Sequence, residues 1–190
     1  MDQIRYTGLS DIPEICRIMT EAYENMEHKE WYITDSREYL ESLVEERGYI
    51  LVYLSDGMIV GFLSVLKPDA EDDKYARFVE GASPRNSMHT ESCAVEAAYR
   101  GRGIQQKLFR RAEEIERAAG TRFLLCTIHP DNASSLKSAL KAGYQVAATS
   151  DSIYGDGEYL RHVCVRKLFE DAEQNTPQQE SMRDTDAGYV

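Results

Sequence analysis

The residues with the most chemical content run from Cys93 to Leu108, Cys-Ala-Val-Glu-Ala-Ala-Tyr-Arg-Gly-Arg-Gly-Ile-Gln-Gln-Lys-Leu. This pattern reads as a strand that passes through a glycine-bearing turn into an amphipathic helix. Glycines at 101 and 103 let main-chain N–H groups approach a ligand closely, and the unpaired amides and positive dipole end of the helix favour an anion. A diphosphate suits that geometry. Residues 100–122 hold seven Arg or Lys against three Glu in a chain of formal net charge -11, so a basic island stands in an acidic protein. The same residues also fit a tight connection followed by a solvated helix face, with Arg110, Arg111 and Arg117 paired to Glu113, Glu114 and Glu116. Other phosphate-binding patterns fit worse. The run lacks G-x-x-x-x-G-K-[ST], and G-x-G-x-x-G would need glycine where Gln106 stands.

The elements that position this turn follow from periodicity and punctuation. An opening strand is expected over 2–7, then a helix capped by Ser10 or Asp11 with Pro13 and Glu14 in its first turn. A second helix is expected over about 36–47, ending at Gly48. The segments 49–54 and 58–65 form a hairpin through Ser55-Asp56-Gly57, because Asp-Gly accepts the positive φ angles of a tight turn. The polar stretch 67–87, with Pro68 and Pro84, reads as a long excursion before a strand over 88–95. Ile104, Leu108, Ala112, Ile115 and Ala119 keep helical spacing up to Gly120. A strand over 122–128, a helix capped by Asp131 or Asn132 and closed by Gly143, and strands near 144–149 and 159–167 complete the order. Hairpin and crossover connections together imply a mixed sheet of about seven strands covered by helices, an α/β fold.

With 190 residues, 42% of them hydrophobic and 29% charged, the chain is large enough for one well-buried core and is expected to form one domain over 1–168. Residues 169–190 form an acidic tail; Asp171 to Val190 carries five acids and one base with few apolar groups, so disorder is expected there. No apolar run approaches the roughly 18 residues of a membrane span, and no leader pattern opens the chain, so a cytoplasmic location is expected. The net charge opposes binding to nucleic acid or anionic lipid. Cys16, Cys93, Cys126 and Cys164 are widely spaced and read as buried thiols, and no residues have zinc-site spacing, so no metal is expected.

Taken together, the turn and the helix after it resemble the GNAT superfamily of acyl-CoA-dependent N-acetyltransferases, whose hallmark is Q/R-x-x-G-x-G/A after a strand of the form L-x-V. Arg100 and Gly103 match, while Gln105 replaces the final small residue. A second signature, Asn followed by a helix ending in Gly and an aromatic residue, is visible from Asn132 to Gly143-Tyr144. The resemblance spans about residues 2–168. It implies a GNAT-like, mostly antiparallel sheet and acetyl-CoA as co-substrate. It also implies that main-chain groups of Cys93 and Val95 meet the pantetheine arm or the thioester carbonyl, and that Arg100 belongs to the coenzyme turn. Amides of Gly101, Arg102, Gly103, Ile104, Gln105 and Gln106 would hold the pyrophosphate, and Asn132 with Ser135 would contact the coenzyme from the next helix. As a helix cap, Asn132 has a structural role as well.

Acetyl transfer to an amine needs a proton acceptor, because a lysine-like amine has a reference pKa near 10.4. Glu91 is the candidate base, since strand alternation places it on the face of Cys93 and Val95; His89 shares that parity and is the runner-up. Many members of the family carry a Tyr seven residues after the Asn as acid for the departing thiolate, and here Ala139 stands there. Tyr154, Ser138 or water must serve instead. Substrate-binding side chains are expected from the early helices and the 67–87 loop. Residues 21–46 hold nine acids and two bases, a field that would gather cationic amines, and Trp31, Tyr32 and Tyr39 could cover an apolar substrate or complete the core. The expected function is acetyl transfer to a primary amine of a small molecule or peptide, with a homodimer left open. A non-catalytic acyl-CoA-binding regulatory module, suggested by Ala139, is the alternative, and a partner-binding protein without a nucleotide ligand is a third.

Overall fold

The computed structural model describes residues 2–154 and 159–169. Seven strands form one sheet: β1 (Gln3–Tyr6), β2 (Gly48–Ser55), β3 (Met58–Leu66), β4 (Ser87–Val95), β5 (Phe123–Ile128), β6 (Gln145–Ser150) and β7 (Arg161–Lys167). Their order is β1-β2-β3-β4-β5-β7-β6. Every neighbouring pair is antiparallel except β4 and β5. The mixed sheet expected from the order of elements is present. The acidic tail lies outside the described residues from residue 170 onward.

Side-chain alternation divides the core into three parts. On one face Leu51, Leu63, Val65, Leu124 and Cys126 pack under α3 (Ile104–Ala119), with Ala139 of α4 (Ala133–Lys141) in the same cluster. On the other face Ile50, Val52, Phe62 and Leu66 pack under α1 (Ile12–Glu24) and α2 (Arg37–Ser42). The part of that second face formed by Phe123, Leu125, Val163 and Val165 is covered by Tyr75, Ala76 and Val79. The excursion 67–87 therefore acts as a lid on the sheet, because α1 and α2 stop short of β5 and β7.

Local signals explain most ends. Asp56 and Gly57 take φ of 50° and 84° in the hairpin turn, and Gly120 and Gly143 close α3 and α4 with φ of 82° and 85°. Asn132 caps α4 by accepting the Ser135 N–H at 3.1 Å. Asp11 stands at the start of α1 without capping it. Its carboxylate turns back to the Gly8 N–H at 2.9 Å and the Arg5 guanidinium at 2.6 Å. The second helix is short and passes through a π turn, Leu43–Arg47, into β2.

The helical stretch ends at Gly48 as expected, and the backbone there is already extended. A close approach requires the glycine: a Cβ there would lie 2.0 Å from the Val65 carbonyl oxygen. Gly48→Ala should force β2 away from β3 at its first residue and cost about 2 kcal/mol or more. A lower denaturant midpoint at unchanged m-value would show it.

Candidate active site

The site begins where two parallel strands part. β4 pairs with β5 only through Ser87–Phe123, Met88–Leu124 and His89–Leu125, whereas its pairing with β3 continues to Val95–Gly61. Thr90 pins the point of divergence, with its hydroxyl 3.4 Å from the Leu125 carbonyl and 3.2 Å from the Tyr144 hydroxyl. Beyond it, Glu96 donates to the Val60 carbonyl at 3.0 Å. By antiparallel alternation the main-chain groups of Cys93 and Val95 then point away from β3, into the space β5 has left. The Val95 carbonyl accepts a hydrogen bond from Arg100 Nε at 3.0 Å, so Arg100 ties the strand end to the turn.

The turn is built as an anion cradle. Gly101 and Gly103 adopt φ of 77° and 72°. These are left-handed conformations that side-chain-bearing residues disfavour. The first helical bond shown for α3 runs from the Lys107 N–H to the Gly103 carbonyl at 3.0 Å, which leaves the amides before it, through Gln106, without an intrahelical partner. These amides open onto a cleft of about 670 Å³ lined by Cys93, Val95, Gly101, Gly103 and Ile104. Gln105, Gln106, Asn132 and Ser135 also line it. Gln106 Nε2 donates to Ser138 Oγ at 2.6 Å, joining α3 to α4 across the cleft. Arg102 does not line the cleft. Its guanidinium donates to the Ala98 carbonyl at 3.1 Å and lies 4.8 Å from the Tyr99 ring centre. Within the basic island Arg111 pairs with Glu114 at 2.9 Å and Arg117 with Glu113 at 2.7 Å, and Glu113 also holds Arg166 of β7 at 2.7 Å.

Glu91 reaches the same cleft from the opposite sheet face to that expected. The β3–β4 register shifts between Leu63–Cys93 and Val65–Thr90, so β4 carries one extra residue there. That bulge reverses the alternation. Cys93 and Val95 pack toward α3, while Ala94 belongs to the α1 and α2 core. Glu91 lies on the latter side, and Tyr39 of α2 donates its hydroxyl to it. Ser64 Oγ holds the bulge by accepting the Ser92 N–H at 2.9 Å, and Ser92 Oγ donates to Asp35. Burial pushes the carboxyl groups of both Glu91 and Asp35 above their usual range, partly offset by those hydrogen bonds. Parity arguments could not find Asp35 or Ser92, because the bulge that aligns them has no mark in the sequence.

His89 is buried, its ring 4.3 Å from that of Tyr75, and burial lowers its pKa to about 4. It is sealed from the cleft lining, and its lowered pKa makes it a weak proton acceptor, so it is poorly placed and poorly matched as a base for an amine held there. Burial raises the Cys93 thiol to about 12, so that group stays protonated. Ala139 is 1% exposed within the α3–α4 core. Tyr154 stands behind the cleft rather than on it. Its hydroxyl lies 2.7 Å from Thr127 Oγ1, which does line the cleft, and 2.8 Å from the Tyr75 hydroxyl; burial raises its pKa. Thr127 carried no signal in the sequence beyond its place in a strand.

A parted parallel strand pair with an anion cradle at one end and a buried carboxylate at the other is an arrangement suited to acyl transfer from a diphosphate-bearing thioester. The chain belongs to the acetyltransferase (GNAT) family, whose profile matches residues 12–144. No curated protein sequence matches the chain. Among solved structures, an N-acetyltransferase from Staphylococcus aureus Mu50 is 21% identical, with 89% of this chain on 99% of that one at a TM-score of 0.67. The putative acetyltransferase yncA of Salmonella typhimurium, solved with its cofactor acetyl-CoA, is 20% identical over 93% and 99% of the two chains, with a TM-score of 0.67. A ribosomal-protein-alanine N-acetyltransferase from Brucella melitensis is 24% identical over 87% and 99%, with a TM-score of 0.66. These three share the GNAT fold with this chain.

A Cβ at Gly103 would sit 3.7 Å from Gln106 Oε1 with the backbone at positive φ. Gly103→Val should strain the turn and place a branched side chain in the cradle. Calorimetric affinity for CoA is expected to fall about tenfold or more; unchanged affinity would remove the cradle from the binding site.

Proposed function

We propose that this protein transfers the acetyl group of acetyl-CoA to a primary amine of a small molecule or peptide, with Glu91 as the proton acceptor. The observation that carries this reading is that one cleft joins the glycine turn, the freed strand edge at Cys93 and Val95, and the Glu91 carboxylate. Amides of the turn from Gly101 to Gln106 would bind the pyrophosphate, and the Cys93 and Val95 edge would polarise the thioester carbonyl. Asn132 and Ser135 would flank the coenzyme from α4.

As the amine nitrogen bonds to the carbonyl carbon, Glu91 takes its proton, and the carbon–sulfur bond then breaks with the electron pair going to sulfur. Tyr154, acting through Thr127, or water supplies the proton that makes the free thiol. A thiol of pKa about 8.5 leaving unassisted near pH 7 costs roughly 2 kcal/mol, so Ala139 slows the step without forbidding it. The same Ala139 favours a non-catalytic acyl-CoA-binding module as the second reading. CoA binding without thiol release from acetyl-CoA across an amine panel would select it and overturn catalysis.

Glu91 works as a base only when ionised, so kcat/KM corrected for the fraction of free amine should fall with decreasing pH, with a midpoint above the ordinary carboxylate range because burial raises its pKa. A carboxyl whose folded pKa exceeds its unfolded value binds more protons when folded. Its contribution to stability is therefore present at low pH and lost as pH rises through that interval. Glu91→Gln should abolish the acidic limb and lower kcat by about 10²-fold. It should also raise Tm at pH 7 relative to wild type. A retained limb would place the base elsewhere.

A further inference from the structure

The charged side chains lining the cleft are not evenly spread. Among the described residues that line it, Arg100, Lys137 and Lys141 are the cations and Glu91 is the anion. All three cations stand on the coenzyme half, one in the glycine turn and two on α4. Glu91 stands alone on the α1 side, where the walls are Ala22, Met26, Trp31 and Tyr32. Cations near that half are engaged elsewhere. Arg161 is held off the cleft lining by its bonds to the Glu30 and Leu160 carbonyls at 2.8 Å and 2.9 Å, which fix its position and leave its charge in place, while Arg47 pairs with Asp69 at 3.5 Å and Lys74 with Asp72 at 3.7 Å.

The aromatic wall is held in place. The Trp31 ring stacks on His28 at 4.5 Å and 23° and faces His129 at 6.0 Å and 26°, so the α1–α2 connection is tied to the β5–α4 connection across the cleft. On either side of Tyr32 the segment is fastened by the Arg161 bond to the Glu30 carbonyl and by the Ser92 bond to Asp35.

From this partition of charge we infer that the acceptor is an aralkylamine: a primary amine with a flat apolar body and no carboxylate beside the reacting nitrogen. This inference rests on the acetyl-transfer reading above. Trp31 and Tyr32 supply large apolar faces for the body, and Glu91 attracts the ammonium. An amino acid would bring its carboxylate next to Glu91, where no cation stands among the described lining residues of that half, and like charges at contact distance are strongly selected against.

Thiol release from acetyl-CoA by the full chain, with kcat/KM corrected for the fraction of free amine, tests the inference on phenethylamine, phenylalaninamide, phenylalanine and spermidine. Phenethylamine and phenylalaninamide should each exceed phenylalanine by about tenfold or more. Phenethylamine should also exceed spermidine. Trp31→Ala should raise the KM for phenethylamine about fivefold or more while leaving CoA affinity within twofold, and Trp31→Phe should recover most of the loss. Equal or better use of phenylalanine or spermidine overturns the acceptor class and leaves acetyl transfer standing. An unchanged KM in Trp31→Ala also overturns it. Absence of thiol release with all four amines overturns both readings.

Discussion

Two parallel strands that begin as hydrogen-bonded neighbours and then separate leave main-chain amides and carbonyls without strand partners. In a protein interior that condition is costly, of the order of 1–3 kcal/mol for each buried group left unpaired. β4 is in this position after His89. The fold answers it in two ways. Arg100 satisfies the Val95 carbonyl, and the cleft leaves the remaining edge open to a ligand or water. Most other features of the site follow from this separation. α3 and α4 flank the cleft that it opens, and Gln106 and Ser138 link them there.

The bulge in β4 supplies the second condition. A strand with strict alternation would place Glu91 with Cys93 and Val95, on the face covered by α3. The extra residue moves Glu91 to the α1 and α2 side, where Tyr39 fixes it. A base there can meet an amine coming from that side while the coenzyme occupies the other. In the proposed reaction the two reactants would approach the parted strands from opposite faces of the sheet, and neither would have to pass the other. The bulge also brings Ser92 to Asp35 and so fastens the connection that carries Trp31 and Tyr32.

Much of this was legible in the sequence, and what was not has a definite physical cause. Strand and helix order, the hairpin at Asp56-Gly57, the ends of α3 and α4 and the glycine turn all depend on local chemistry, namely turn residues and apolar periodicity. Glu91 could be named but not correctly oriented, because a bulge is set by the fit between two strands and by a partner such as Ser64, distant in sequence. His89 had the right residue type and an adjacent position, yet it is sealed beneath Tyr75, a residue of an excursion whose packing against β5 and β7 no local pattern announces. Gly48 could be recognised as an end to the second helix, but the reason it must be glycine is the Val65 carbonyl across the hairpin. The aromatic residues of the α1–α2 connection were ambiguous for the same reason. Their role depends on His129 and Arg161, which only the folded chain brings near.

Charge has to be read in the same three-dimensional way. The linear count places a basic island after the glycine turn and an acidic field before β2, and both suggest long-range steering. In the folded protein several of these groups are paired locally: Arg117 with Glu113, Arg111 with Glu114, Arg37 with Glu41, and Glu21 with Arg17. Exposed pairs of this kind contribute little to stability, and salt screens them beyond about 10 Å. The charges that bear on the reaction are instead the few that line the cleft, where water is partly excluded and each unit of charge acts more strongly. Burial of Glu91 follows the same principle. Raising its pKa would bring the carboxyl closer in basicity to an amine in the proposed reaction, and it does so at the expense of the stability that an exposed or neutral side chain would retain.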